Sequence, residues 1–206
     1  MSVAQTQHGS KTRLLDATLQ VVRAKGYSAT TIEDVCSKAE LTKGSFFHHF
    51  KSKEGLAVAA AKHWSATTGG LFATAPYQSL ADPLDRVLGY VDFRKAILRG
   101  ELAQFTCFVG TMVQEVYSSS PAIRDACNDS ISSHAAKIET DIAAAMEKHG
   151  IKADWTASSL ALYTQAVIQG SFILAKAKGG PQIAADCLDH LRRYIELLFS
   201  KPGKEK

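Results

Sequence analysis

The sequence predicts an all-α fold, and three features carry that prediction. Apolar residues recur at three-to-four spacing along most of the chain. No segment of its second half alternates with period two for long. The five prolines, at 76, 83, 121, 181 and 202, fall, apart from the last, between long stretches of helical character and read as punctuation.

Leu14, Leu15, Ala17, Thr18, Val21 and Val22 place an amphipathic helix over residues 10–25, closed by Gly26. Thr30 and Glu33 then stand at capping-box spacing, with Ile32, Val35, Cys36 and Ala39 on one face of a short second helix. "ELT" is long enough only for a turn, and Thr42 caps a third helix that starts at Lys43. In "KGSFFHHF", Phe46 and Phe50 are four apart and share a face, so they dock on the first two helices and leave Lys43, Gly44, Ser45, Phe47 and His48 facing outward. Ser52 caps a fourth helix through "LAVAAAKHWSATTGGLFA", expected to fray near Gly69 and Gly70. Further helices are expected at 82–99, 103–117, 121–148, 154–178 and 182–200, about nine in all. Asp82-Pro83 and Ser120-Pro121 are their start signals, Gly150 and Gly179 their stops. The tail "KPGKEK" is expected to be loose.

A 206-residue chain with 46% hydrophobic and 21% charged residues can bury a real core. No run reaches the roughly 18–20 apolar residues of a membrane span, and "MSVAQTQHGSKTR" lacks the apolar stretch of a secretory signal, so a soluble, cytoplasmic protein is expected. Cys36, Cys107, Cys127 and Cys187 are scattered and never form C-x-x-C, which argues against a zinc site or a disulfide framework. His48 and His49 are adjacent, so on a helix they point about 100° apart, with no third ligand nearby; no metal is expected. No nucleophile triad, paired-carboxylate or phosphate-loop spacing supports an enzyme, and no cofactor is implied.

Charge is unevenly placed. Met1 to Gly55 hold eight Lys or Arg against five Asp or Glu, whereas the remaining residues hold 16 against 15. That fits a small anion-facing head, residues 1–52, on a nearly neutral body, residues 53–206.

Two short helices across a three-residue turn, steadied by a preceding helix, make a helix-turn-helix, whose second helix enters the major groove of DNA. The leading end of such a helix needs donors near backbone N–H groups and no bulk. Thr42, Lys43, Gly44 and Ser45 meet both demands. The stretch "GYSATTIEDVCSKAELTKGSFFHHFKSKEGL", residues 26–56, resembles the DNA-binding domain of the TetR family of transcriptional repressors. The likeness lies in Gly-Tyr after the first helix, Thr-Thr before the second, the Lys-Gly-Ser opening of the third, the aromatic and histidine pairs ending in Phe50, and Ser-Lys-Glu. It implies phosphate contacts by Thr30 or Thr31, Thr42, His49 and Lys53, and base-edge or mixed contacts by Lys43, Gly44, Ser45, Phe47 and His48. Two positions depart from the family pattern. Phe47 stands where tyrosine is usual and offers a van der Waals contact, as to a thymine methyl, instead of a hydroxyl. Glu40 stands where glycine is usual, and a left-handed backbone there costs on the order of 1 kcal/mol.

The same resemblance implies that residues 53–206 bind a small effector and pair two copies. Phe72, Phe93, Phe105, Cys107, Phe108, Met112, Tyr117, Trp155 and Tyr163 supply pocket candidates, each with core packing as the alternative. Cys107, in "QFTCFVGTMVQEV", loosely resembles the cysteine of an electrophile-sensing branch of the family, although no Lys, Arg or His lies within four residues of it. Residues 154–199 read as two long helices. Leu162, Ala166, Gln169, Gly170 and Ile173 on one, with Leu188, Leu191, Ile195 and Leu198 on the other, are the candidate dimer face of a four-helix bundle, or else internal core. The expected function is a dimeric repressor on a palindromic operator, released by a small-molecule effector that could be an electrophile or oxidant. A helical small-molecule-binding protein with an impaired head is the alternative.

Overall fold

A computed structural model of the chain describes residues 3–200, with side chains over 9–200. The described residues form ten α-helices, one 3-10 turn and no strand, so the all-α expectation holds. The tail from Lys201 lies outside them.

α1 (Val3–Lys25) ends where Gly26 takes φ 88° and its N–H reaches Val22 O at 2.8 Å. α2 (Ile32–Ala39) carries its capping box one residue later than the spacing suggested. Thr31 accepts from Asp34 N, and the Asp34 carboxylate takes Thr31 N–H, while Thr30 is buried with its hydroxyl on Gly26 O. The shift has a plain cause: Thr30 is turned into the core, with its hydroxyl used on Gly26 O, and Thr31, extended at φ −105° and ψ 163°, faces the Asp34 N–H. α3 (Lys43–His49) and α4 (Lys53–Ala73) are capped by Thr42 and Ser52 as expected. α4 does not fray at its glycines; it runs three residues past Gly70, and the 3-10 turn Pro76–Ser79 follows.

Asp82 caps α5 (Pro83–Ala96). The single helix expected at 103–117 is two, α6 (Leu102–Phe105) and α7 (Phe108–Val116). Thr106 and Cys107 between them are extended, and each new helix start finds its own cap: Glu101 with Gln104, and Cys107 Sγ accepting from Gly110 N. α8 (Pro121–His149), α9 (Ala157–Lys178) and α10 (Gln182–Phe199) complete the chain, with Gly150 and Gly179 left-handed at the ends of α8 and α9.

The chain packs as two compact units. One runs to Gly70 and adds Glu101–Ser132; the other is Leu71–Gly100 with the residues from Ser133 onward. In the first, α1 is the spine against which α2, α3, α6 and α7 rest, around Leu14, Val22, Phe46, Leu56, Phe108, Met112 and Ile123. In the second, α10 lies between α5 and α9 around Ile142, Ile168, Leu188, Leu191 and Ile195. No helix among the described residues is long and apolar enough to cross a membrane.

Candidate nucleic-acid interface

α3 is seven residues long, too short to hold helical form without packing. Burial of its aromatic back supplies that packing: Phe46 is 0% exposed and Phe50 closes the same edge, their rings 5.8 Å apart. Phe47, next to them in sequence, is 57% exposed, its ring edge-on to Phe46. Thr42, Lys43, Gly44 and His48 are exposed too, and Ser45 is half-buried, with its N–H on Thr42 Oγ1 at 3.2 Å. A Cβ added at Gly44 would meet only Thr42 Oγ1, at 3.6 Å, so the internal structure does not require glycine there.

The turn into α3 is intact despite its glutamate. Glu40 is left-handed at φ 53° and ψ 46°, the only non-glycine with positive φ among the described residues. Its N–H and that of Leu41 close the end of α2 on Ser37 O at 3.1 Å and Cys36 O at 2.9 Å, and Arg13 reaches its carboxylate at 3.4 Å. These bonds offset a backbone cost of roughly 1–2 kcal/mol.

Several predicted contact residues have partners inside the chain. Lys43 pairs with Glu33, which holds that exposed carboxyl below its ordinary range, so an incoming anion must compete for the ammonium. Thr31 donates its hydroxyl to Asp34, which Lys25 and Thr31 together hold well below the carboxylate range. His49 Nε2 meets Ser10 Oγ at 2.7 Å, and partial burial, then His48 and Lys11, lower its pKa. Lys53 lies over the Tyr27 ring at 4.3 Å with Ser28 O at 3.4 Å. Thr30 is buried and its hydroxyl is committed to Gly26 O at 2.6 Å.

Sequence reading missed two supports of this face. Ser10 on α1 orients His49. Glu115 on α7 accepts the N–H groups of Tyr27 and Ser28 at 2.9 and 2.8 Å, fixing the loop that carries the Lys53 platform. A Cβ on Gly26 would lie 2.6 Å from that carboxylate, so this glycine is needed for contact as well as for its φ. Glu115 is nearly ninety residues from the loop in sequence and carries no local signal.

The other predicted site residues do not converge. Phe105, Cys107, Phe108 and Met112 are buried in the first unit, while Tyr117 there is 61% exposed. Cys107 is 8% exposed, although Arg23 lies within electrostatic reach of its thiol. In the second unit Phe72 and Phe93 meet at 5.7 Å, Trp155 packs on Phe199 and Tyr163 on Tyr194. Of the dimer candidates, Leu188, Leu191 and Ile195 are spent on the second unit's own core. The apolar stripe of α10 faces inward, leaving Tyr194 and Leu197 outside. Leu162, Ala166 and Ile173 are exposed on α9, with Gln169 and Gly170 half-buried between them, and Leu198 is half-buried on α10.

Phe72 also borders a cleft of about 390 Å³ in the second unit, with Tyr77, Tyr90, His134 and Lys137. Tyr90 Oη receives Arg94 Nε–H at 3.0 Å and Gln165 Nε2–H at 3.2 Å, so its own proton goes to His134 Nε2 at 2.9 Å. His134 is therefore neutral, with its proton on Nδ1. Burial, then Arg94 and Lys137, push its pKa down to about 3. A histidine held neutral contributes stability that is present above its unfolded value of about 6.5 and lost as pH falls toward that lower value. Tyr90 and Arg94 on α5 and Lys137 on α8 are the titratable or charged groups facing it. The urea midpoint should fall as pH drops from about 7 to about 4, and His134→Asn should flatten that slope.

Residues 14–60 match the family described as "Bacterial regulatory proteins, tetR family", and residues 83–191, more than half of the chain, match "Tetracyclin repressor-like, C-terminal domain". The uncharacterized HTH-type transcriptional regulator YvkB of Bacillus subtilis (strain 168) is 31% identical over 90 residues, 42% of this chain and 48% of that protein. The chain spans about half the length, or less, of the curated relatives it matches. A TetR transcriptional regulator from Chloroflexus aurantiacus J-10-FL superposes with a TM-score of 0.82 at 22% identity, covering 93% of this chain and 96% of that one. A cysteine mutant of the TetR family regulator CifR, solved with 26-bp double-strand operator DNA, superposes at 0.74 with 18% identity over 87% and 94% of the two chains. A packed three-helix head whose third helix is exposed at its leading end, followed by an all-helical body that matches the second description, leaves one assignment: the chain belongs to the TetR family of DNA-binding transcriptional regulators.

Proposed function

We propose that the protein is a cytoplasmic repressor that binds a palindromic operator as a homodimer and leaves it when a small molecule binds in the body. In this reading residues 1–52 read DNA and 53–206 receive the effector and pair the two copies. The observation that carries it is the division of α3 into a buried aromatic back and an outward face formed by its leading end, Thr42, Lys43, Gly44 and half-buried Ser45, with Phe47 and His48 beyond them. Lys43 and Ser45 are placed for base edges or phosphate, Gly44 for close backbone approach, and Phe47 for an apolar contact in the groove. Thr31, Thr42, His49 and Lys53 flank them as phosphate contacts. Thr30 serves this face by holding the loop, since its hydroxyl is already used. Release is a population shift: the effector favours the conformation whose two recognition helices no longer match successive major grooves. A reversible ligand fits better than covalent attack on Cys107, because that thiol is buried.

Sequencing DNA fragments selected by the purified chain tests the reading, with affinity measured against salt. A shared palindrome and a steep loss of affinity with added salt are expected. Gly44→Ala should leave stability unchanged or slightly raised, since its Cβ meets no obstacle, yet weaken operator binding by about tenfold or more, because the methyl group stands where the duplex backbone approaches. Indifference to every duplex at low ionic strength would leave a ligand-binding protein without a working head.

A further inference from the structure

The second unit's cleft has a composition that selects a chemistry. Its volume, about 390 Å³, is in the range of small-molecule pockets, roughly 300–1,000 Å³. Phe72, Tyr77 and Tyr90 pack on one another, with centroids 5.6 to 5.9 Å apart in neighbouring pairs, and at 4%, 7% and 2% exposure they offer the cleft an apolar floor of ring margins against which a flat apolar body can rest. The polar rim is one-sided. The Tyr90 relay leaves His134 with an Nδ1–H that has no partner among the described residues, and since no buried side-chain nitrogen there lacks one, this donor is open to solvent. Lys137, three residues on along α8 and therefore on the same face, presents an ammonium with no carboxylate partner among the described residues. Arg94, behind the lining with its guanidinium over the Phe72 ring at 4.7 Å, also has no carboxylate partner among the described residues. The carboxylate in the lining, Asp141, is already answered by Arg86 at 2.7 Å. Donors and uncompensated positive charge thus border an aromatic wall.

Resting on the effector reading above, the geometry points to a small aromatic carboxylate as the ligand of this cleft, its ring against Phe72, Tyr77 and Tyr90 and its carboxylate on His134 Nδ1–H and Lys137 Nζ. The neutral histidine acts as a hydrogen-bond donor and the lysine as the counter-charge. An organic cation of the same shape meets like charge, and a neutral isostere finds the donors without the Coulombic gain.

Calorimetry on the full chain with 2-naphthoate, 2-naphthamide and 2-naphthylmethylammonium tests this. Naphthoate should bind about tenfold or more tighter than the cation, with the amide between them. Lys137→Met, at an exposed position where folding is not at risk, should weaken naphthoate about fivefold and leave the amide unchanged. Equal binding of the three probes, no binding up to millimolar concentration, or an unchanged naphthoate affinity in Lys137→Met overturns the assignment. Operator affinity is read separately. Naphthoate that binds without loosening DNA keeps the ligand class and removes the effector role, whereas release by a ligand of other charge keeps the effector role and removes this ligand class.

Discussion

Phe46→Ala should lower the stability of the first unit by about 3–5 kcal/mol and abolish sequence-selective DNA binding. The ring is 0% exposed and touches Phe47 edge-on at 5.1 Å and Phe50 at 5.8 Å. Its removal takes away transfer free energy and leaves a void beneath a helix of only seven residues. Such a helix has no stability of its own, so the loss reaches its position as well as the total. Against a whole-domain stability of roughly 5–15 kcal/mol the change is large. Phe47→Ala is the matched control: the same truncation one position along, on a side chain 57% exposed, should shift stability by no more than about 0.5 kcal/mol while weakening DNA binding. Urea unfolding and operator affinity measured on both variants separate the pinning ring from the reading ring. An unaltered urea midpoint in Phe46→Ala would show that α3 is held by something other than its aromatic back.

What was legible in the sequence was local. Thr42, Ser52 and Asp82 cap helices where their spacing placed them, and Phe46 and Phe50 are buried as their four-residue interval required. Glu40 shows how a departure from pattern can be read and still be tolerated: the left-handed turn is kept, and the bonds that offset its cost come from α1 and the end of α2. The misplacements have tertiary causes. Thr30 was the better capping residue by spacing alone, but the loop clamped by Glu115 turns it inward. The break at Thr106 and Cys107 interrupts a run whose apolar spacing is continuous, and nothing local announces it. Leu188, Leu191 and Ile195 form a stripe that suits an interface or a core equally well, because periodicity says which residues share a face and not what that face meets. The cleft was the least visible feature: Tyr77, Tyr90 and His134 come from three separate elements, and only the fold gives His134 its tautomer.

The outward faces of α9 and α10 carry the second large effect. Leu162, Tyr163, Ile173, Leu174, Tyr194 and Leu197 are all substantially exposed, Leu197 at 70%, and the Tyr163 and Tyr194 rings meet at 5.2 Å, tilted by 56°. On α9 the exposed positions 162, 166 and 173, with half-buried 169 and 170 between them, follow one side of the helix. A monomer seldom leaves such a stripe in water, and two copies related by a two-fold axis would bury it as a four-helix bundle. Leu197→Lys puts a charge on that face without touching the core, so helicity should be unchanged while the protein sediments as a monomer. If the protein pairs on a two-half-site operator as proposed, operator affinity should then fall by about a thousandfold, since each half-site contributes only its own contacts once the second head is no longer held at high effective concentration. Leu197→Met, which keeps the face apolar, should do neither. If Leu197→Lys still sediments as a dimer and grips a full operator, pairing uses another surface, and this exposed stripe must be covered by something other than a second copy.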